Sequence, residues 1–215
     1  MSTMEEDRTG RPSANEAEVV EVAAPPAGDP TMLGLPCFIF GSLALALGLV
    51  GYLPAAAAAG ALPIIMMSTG LGLLIATIWS IALAQSAVAC IFGVFAGFWL
   101  SYAALLLGLG HNWFGVLPKD AQRTVSSFLL VWVLGIALLT GITLRLPLAF
   151  TVLFALIDLA LVLVLISNEQ SSVNLAKAGG YVAFVFAGLG IYLWAGSASV
   201  ATGGKPFPLG KPIAH

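Results

Sequence analysis

Hydrophobic and polar positions do not alternate along most of this chain; long apolar runs follow one another with short polar breaks between them. Each run approaches the roughly 20 residues that a helix needs to cross about 30 Å of hydrocarbon. The first covers about Leu33 to Leu53 and stops at Pro54, and AAAAAG at 55–60 reads as a short turn. The second covers about Ala61 to Ala82, and Gln85–Ser86 separates it from the third, about Ala87 to Leu109. His111 to Thr124 is the longest connection and divides two halves of three runs each. The fourth run, about Val125 to Leu144, closes at Arg145 and Pro147. The fifth covers about Leu148 to Ile166, SNEQSS at 167–172 ends it, and the sixth covers about Ala176 to Gly196. This pattern predicts an all-α integral membrane protein of six transmembrane helices over residues 30–200, with tails at 1–29 and 201–215.

Composition strengthens that expectation. Residues AVILMFWYC make up 60% of the 215 positions and DEKR only 8%, against about 25% charged residues in soluble domains. After Asp29 the next charged residue is Lys119, and a water-facing surface could not be built from such a stretch. The net charge of −2 averages an acidic N-terminal segment over a neutral body. That segment carries Glu5, Glu6, Asp7, Glu16, Glu18, Glu21 and Asp29 against Arg8 and Arg11, is rich in proline, and is expected to be disordered. It lacks the basic start and apolar run of a targeting segment. Cys37 and Cys90 both lie in apolar runs and read as small core residues, with no disulfide framework implied.

An even number of spans puts both termini on one side. The termini side holds Arg8, Arg11, Arg145, Lys205 and Lys211, and the opposite side Lys119, Arg123 and Lys177. The positive-inside rule then favours cytoplasmic termini in a plasma (inner) membrane, multi-pass. Within the bilayer, helices associate through close packing of small residues. Gly34, Gly41 and Gly48 recur every seven positions; Ala89, Gly93, Gly97 and Ser101 every four; Gly180, Ala183, Ala187 and Gly188 cluster in the sixth run. Such stripes serve as helix contacts, or line a narrow path, or pack between subunits.

Asp158 is the single charged residue in the interior of a run. A carboxylate near the bilayer centre costs several kcal/mol on most scales, roughly 2.5–3.5 on the lowest, so Asp158 is expected to face the bundle or a cavity. Thr151 lies seven positions earlier on the same helix side. Two uses stay open for Asp158: a structural hydrogen bond to a neighbouring hydroxyl, or a proton-linked group on a substrate path. No metal-ligand spacing, P-loop or Ser/His/Asp grouping is visible, so no catalytic residue, metal, cofactor, enzyme activity or nucleic-acid partner is expected.

Several segments resemble the acetate uptake transporter family, which includes the bacterial acetate/succinate permeases. DPTMLGL at 29–35 is similar to that family's opening motif NPAPLGL, keeping Pro30, Leu33, Gly34 and Leu35 with Asp29 in place of the asparagine and Met32 in place of the second proline. IFGVFAGFWLSYAALLLG at 91–108 resembles its aromatic SYGxFW segment, Trp132–Arg145 its fourth span, 178–196 its sixth, and PFPLG at 206–210 its terminal LPIG. The family's Asn-Thr-Phe-Gly sequence is not recognisable in AQSAVACIFG, nor is the acidic residue that ends its second span.

The resemblance implies a six-helix protomer with its own path, assembled as a homo-hexamer, and a constriction of Phe, Tyr and Leu. Carried over by position, Phe38 matches the Phe, Phe95 replaces the Tyr, and Ile157 falls at the Leu, with Asp158 beside that ring. It also implies passage of a small monocarboxylate such as acetate, with proton coupling and passage of the protonated species both left open. Two other classes remain: a non-transporting membrane scaffold or subunit, which the glycine stripes suit equally, and a channel for a neutral solute such as water, ammonia or urea.

Overall fold

The computed structural model describes residues 28–214; the predicted acidic tail lies, but for its last two residues, outside them. Among the described residues six helices are long and apolar enough to cross a membrane. They comprise α1 (Thr31–Leu49), a second span ending in α2 (Gly72–Ala82), α3 (Ser86–Gly110), α4 (Pro118–Thr143), α5 (Leu148–Gln170) and α6 (Val173–Ala201).

The second span is irregular where the sequence suggests a turn and then a plain helix. A 3₁₀ segment, Ala55–Ala61, replaces the turn, and a π-helical segment, Ile64–Leu71, precedes α2. Pro54 and Pro63 stand immediately before the two segments and bring no N–H to the ladder. Gly70 in the π-helical segment lies beneath Leu100, and Gly72 at the start of α2 lies beneath Cys37.

α4 and α5 run further into polar sequence than their apolar runs, for local reasons. Pro118 opens α4 where an N–H would be unused anyway, and Asp120 in the first turn complements the helix dipole. The polar C-terminal end of α5 is held to this start of α4: Asn168 Nδ2 donates to Gln122 O at 2.9 Å and to Ser126 Oγ at 2.8 Å. α6 begins directly afterwards, capped by Ser172 Oγ, which accepts from Leu175 N.

Helix neighbours follow one another as α4–α5–α6–α1, with α1 also against the second span and the second span against α3. α3 and α4 approach less closely by backbone, because aromatic rings stand between them. Phe98 meets Trp132 at 5.3 Å and Phe128 at 6.1 Å, and Tyr102 meets Phe128 at 6.0 Å between ring centroids. The bundle is thereby closed into a ring of helices.

The small-residue stripes divide between two uses. A Cβ on Gly34 would run into the Phe92 ring, one on Gly41 would meet Thr69 Oγ1 at 2.6 Å, and one on Gly180 would meet Leu49 Cβ at 2.9 Å. These are helix contacts. Gly48 and Gly188 face nothing within 4 Å.

The C-terminal residues return onto the bundle. Ile213 N and Ala214 N donate to Leu144 O at 3.1 and 2.9 Å, and Ala149 N donates to Leu209 O at 2.9 Å. Tyr192 donates its hydroxyl to Pro208 O at 2.8 Å, and its ring packs against Phe207. The strap therefore satisfies the carbonyl end of α4 and the N–H end of α5, which a helix leaves open.

Candidate functional site: an apolar path with one narrow ring

Two apolar cavities lie inside the helix ring. One, of about 140 Å³, sits toward the end where α1 begins and α6 ends and is bounded by Thr31, Leu35, Phe92, Leu146, Phe150 and others. The other, of about 40 Å³, lies deeper and is bounded by Trp99, Tyr102, Leu129, Ile136, Phe186 and others. Three side chains line both: Phe38, Phe95 and Ile157. They come from α1, α3 and α5, far apart in sequence. Each is about 95% buried, and Phe38 and Phe95 meet edge-to-face at 5.0 Å. Phe154 and Phe186 back them at 5.5 and 5.8 Å.

Beyond the deeper cavity lies a vestibule of about 570 Å³ at the opposite end of the bundle. It shares Leu45, Leu49 and Tyr102 with the deeper cavity. Lys177 is its single charged lining residue, and Gly48 opens onto it. The three spaces thus succeed one another along the helix bundle, each sharing lining residues with the next.

The opening motif shapes the other mouth. Asp29 Oδ1 accepts from Thr31 N at 2.9 Å and from Thr31 Oγ1 at 2.7 Å, fixing the start of α1. Pro30 is fully buried, and Leu35 lines the cavity. Gly34 admits Phe92, another lining residue. Leu33 packs against the core from a partly buried position.

The two residues proposed on the path lie elsewhere. Asp158 is turned toward α4, where its Oδ2 accepts from Thr140 Oγ1 at 2.6 Å, and it lines none of these three spaces. The reason is geometric: Ile157 points into the ring, so the next residue is rotated by about 100° around a helix of 3.6 residues per turn. Thr151 donates to Thr143 O at 2.8 Å and ties α5 to the end of α4. It too is absent from the lining.

Sequence reasoning missed Trp99, Tyr102, Lys177 and the vestibule. A signal for the first two was present: Phe95, Trp99 and Tyr102 are spaced by four and three, the repeat of one helix face. In the sequence Lys177 reads only as a charge beside the membrane. Among the described residues no cluster of His, Cys, Asp and Glu could hold a metal ion.

Known proteins of similar sequence include the accumulation of dyads protein 2 of Saccharomyces cerevisiae, 32% identical over 154 residues, which are 67% of this chain and 53% of that protein. The ammonia transport outward protein 2 of the same yeast is 34% identical over 133 residues, 59% of this chain and 46% of that protein. The glyoxylate pathway regulator of Yarrowia lipolytica is 26% identical over 193 residues, 86% of this chain and 70% of that protein. The chain spans about half the length of the first two relatives. In fold it is similar to the bacterial acetate channel SatP, with a TM-score of 0.75 at 20% identity over 86% of this chain and 100% of that one. The GPR1/FUN34/yaaH family pattern matches residues 13–208, and the chain belongs to that family.

Proposed function

We propose that this protein passes small monocarboxylates such as acetate across a membrane, through a path within each protomer narrowed by Phe38, Phe95 and Ile157. The observation that carries the reading is the sharing of these three side chains, and no others, by the two apolar cavities. A hydrophobic ring admits a small solute after brief dehydration and opposes hydrated ions by dewetting. The fold likeness to an acetate channel supports the same substrate class.

Because no cation lines the ring, the uncharged acid crosses it more easily than the anion, and uptake rises as pH falls. In this reading Asp158 is a structural contact between α4 and α5, so Asp158→Asn leaves the pH profile of uptake unchanged. A shifted profile would return Asp158 to the path. In this reading the protein sits in the plasma membrane with cytoplasmic termini, as the distribution of Lys and Arg favours, and assembles as a hexamer, as the resemblance to acetate uptake transporters implies.

The test is acetate uptake by proteoliposomes at two pH values, beside a Phe95→Ala variant. Phe95→Ala widens the ring and raises flux of four-carbon relative to two-carbon monocarboxylates. An unaltered size preference sinks the constriction, and absence of flux for every C2–C4 carboxylate favours the scaffold alternative.

A second reading, ammonia, rests on the relative whose name states ammonia transport and on the uncharged ring. Ammonia flux without acetate flux in the same vesicles selects it.

A further inference from the structure

Five hydroxyl side chains within the spans, Ser42, Thr77, Ser80, Ser101 and Thr140, donate to the carbonyl four positions back at 2.6–3.0 Å. This is the ordinary resting place of a hydroxyl in an apolar helix. Thr69 has no such bond. It is 0% exposed, and its Oγ1 finds no partner among the described residues. The cause is local: Thr69 lies in the π-helical segment Ile64–Leu71, whose backbone bonds reach five positions back instead of four. The carbonyl oxygen of Ile65, its expected acceptor, is carried beneath Gly70, 3.5 Å from where a Cβ there would stand. The hydroxyl is left against the bare backbone of Gly41 on α1, where a Cβ would be 2.6 Å away. A buried donor without a partner is unfavourable, and a native structure that keeps one calls for an explanation.

The two ends of the segment are held unequally. On the C-terminal side α2 is anchored by Leu73 and Ala76, both 0% exposed. On the N-terminal side Ala57–Gly60 are exposed, and a Cβ on Gly60 would meet nothing within 4 Å. Pro54 and Pro63 bring no N–H to this end, so few backbone bonds are lost when it turns. A π turn holds about one residue more than an α turn. Closing one therefore rotates the preceding residues by roughly 100° about the helix axis. Leu62 and Ile65, which line the vestibule, then leave its wall, and Met66 comes toward the place of Ile65. Met66 already packs, partly buried, against the core, and methionine adapts readily to a new niche. An aliphatic side chain turned from protein toward lipid loses little, since lipid is equally apolar.

We infer that the second span is a register switch: its π segment passes to an α-helix in which Thr69 donates to the Ile65 carbonyl and Met66 replaces Ile65 on the vestibule wall. The unpaired hydroxyl disfavours the π form, while the close packing of Leu62 and Ile65, 5% and 2% exposed, favours it. The π form leaves the vestibule at about 570 Å³. The α form places a longer, unbranched side chain in the wall and narrows it. The switch therefore sets access to the path, whichever small solute the path carries.

Its test needs no substrate. In the full chain carrying Cys37→Ala and Cys90→Ala, single Ile65→Cys and Met66→Cys variants are placed in lipid nanodiscs, where both membrane faces meet solvent. Each is labelled with a water-soluble sulfonatoethyl methanethiosulfonate, with and without Thr69→Val. Both cysteines are expected to react, because each faces the vestibule in one of the two forms. Thr69→Val removes the hydroxyl that the α form satisfies and the π form does not. It should slow labelling of Met66→Cys about fivefold to tenfold, the worth of one such hydrogen bond, and spare Ile65→Cys. An inert Met66→Cys, or one whose rate ignores Thr69→Val, overturns the switch.

A second measurement covers cysteine variants that fail to fold. The otherwise wild-type chain is ¹³C-labelled at threonine in bilayers, and the Thr69 signal is assigned by its loss in Thr69→Val. Two Thr69 signals, or one that moves with temperature, support the switch; one sharp signal independent of temperature overturns it. Acetate uptake in the same preparation stands or falls separately, so loss of the switch and loss of carboxylate transport are told apart.

Discussion

Asp158 carries two carboxyl oxygens at membrane depth, and the fold treats them differently. Oδ2 accepts from Thr140, while Oδ1 is buried without a partner. Thr140→Val removes the one hydroxyl among the described residues that reaches the carboxyl and is expected to destabilise the fold by about 1–3 kcal/mol, the range for a buried group stripped of its hydrogen bond. Thermal unfolding in detergent measures this. The double variant Thr140→Val/Asp158→Leu should recover most of the loss, because replacing both partners by apolar groups leaves nothing unsatisfied. A double variant no more stable than the single one would show that the carboxyl does more than bond Thr140. Asp158 was visible in the sequence as the one charge inside a span. Its direction was not, since helix rotation is set by what α4 and α6 offer as neighbours.

Among the elements, the C-terminal strap depends most on tertiary contacts. In sequence it is a Gly/Pro-rich tail; in the structure its backbone closes the α4–α5 corner. Gly210 makes this possible with φ +76, and an added Cβ there would stand 2.9 Å from Leu148 Cβ. Gly210→Ala is expected to loosen the strap, through a positive φ unfavourable by about 1 kcal/mol or more for a residue with a side chain. Hydrogen exchange should then accelerate at Ile213, Ala214 and Ala149, whose N–H groups the strap protects or supplies. Unchanged exchange at all three would mean that the strap is held by Tyr192 and Phe207 alone. The corner includes Leu146, which lines the cavity at the end where α1 begins, so the strap also positions that mouth. Beside the same cavity, Gly34→Ala would drive a methyl into the ring of Phe92, a lining residue. Overpacking of this kind is destabilising by about 1–3 kcal/mol and would appear as a lowered unfolding temperature.

Over the whole molecule, six helices enclose a path that widens from the ring toward a vestibule on the far face. Gly48 lines that vestibule, and nothing lies within 4 Å of a Cβ built on it. Gly48→Leu is therefore expected to leave unfolding temperature nearly unchanged while reducing acetate uptake several-fold, which vesicle flux reports. Destabilisation instead would mean that Gly48 packs against another subunit. Outward faces are rich in large aliphatics, such as Ile78 at 60% and Leu138 at 76% exposure. In a bilayer these need no cover, because lipid is as apolar as they are.

The sequence by itself determined that this is a membrane protein of six spans, because run length and absence of charge reflect one-dimensional limits imposed by bilayer thickness and dielectric. It also brought forward Phe38, Phe95 and Ile157 through resemblance, and Gly34 and Gly41 through their spacing. Only the tertiary structure decided which polar side chains face the path. Periodicity records which residues share a helix side, but in a chain apolar on every side it does not say whether that side meets lipid, a neighbouring helix or a cavity. Asp158 and Tyr102 sit among equally hydrophobic neighbours in sequence. One was turned into the α4–α5 seam and the other onto the path, by helix rotations that close packing around the ring of six selected.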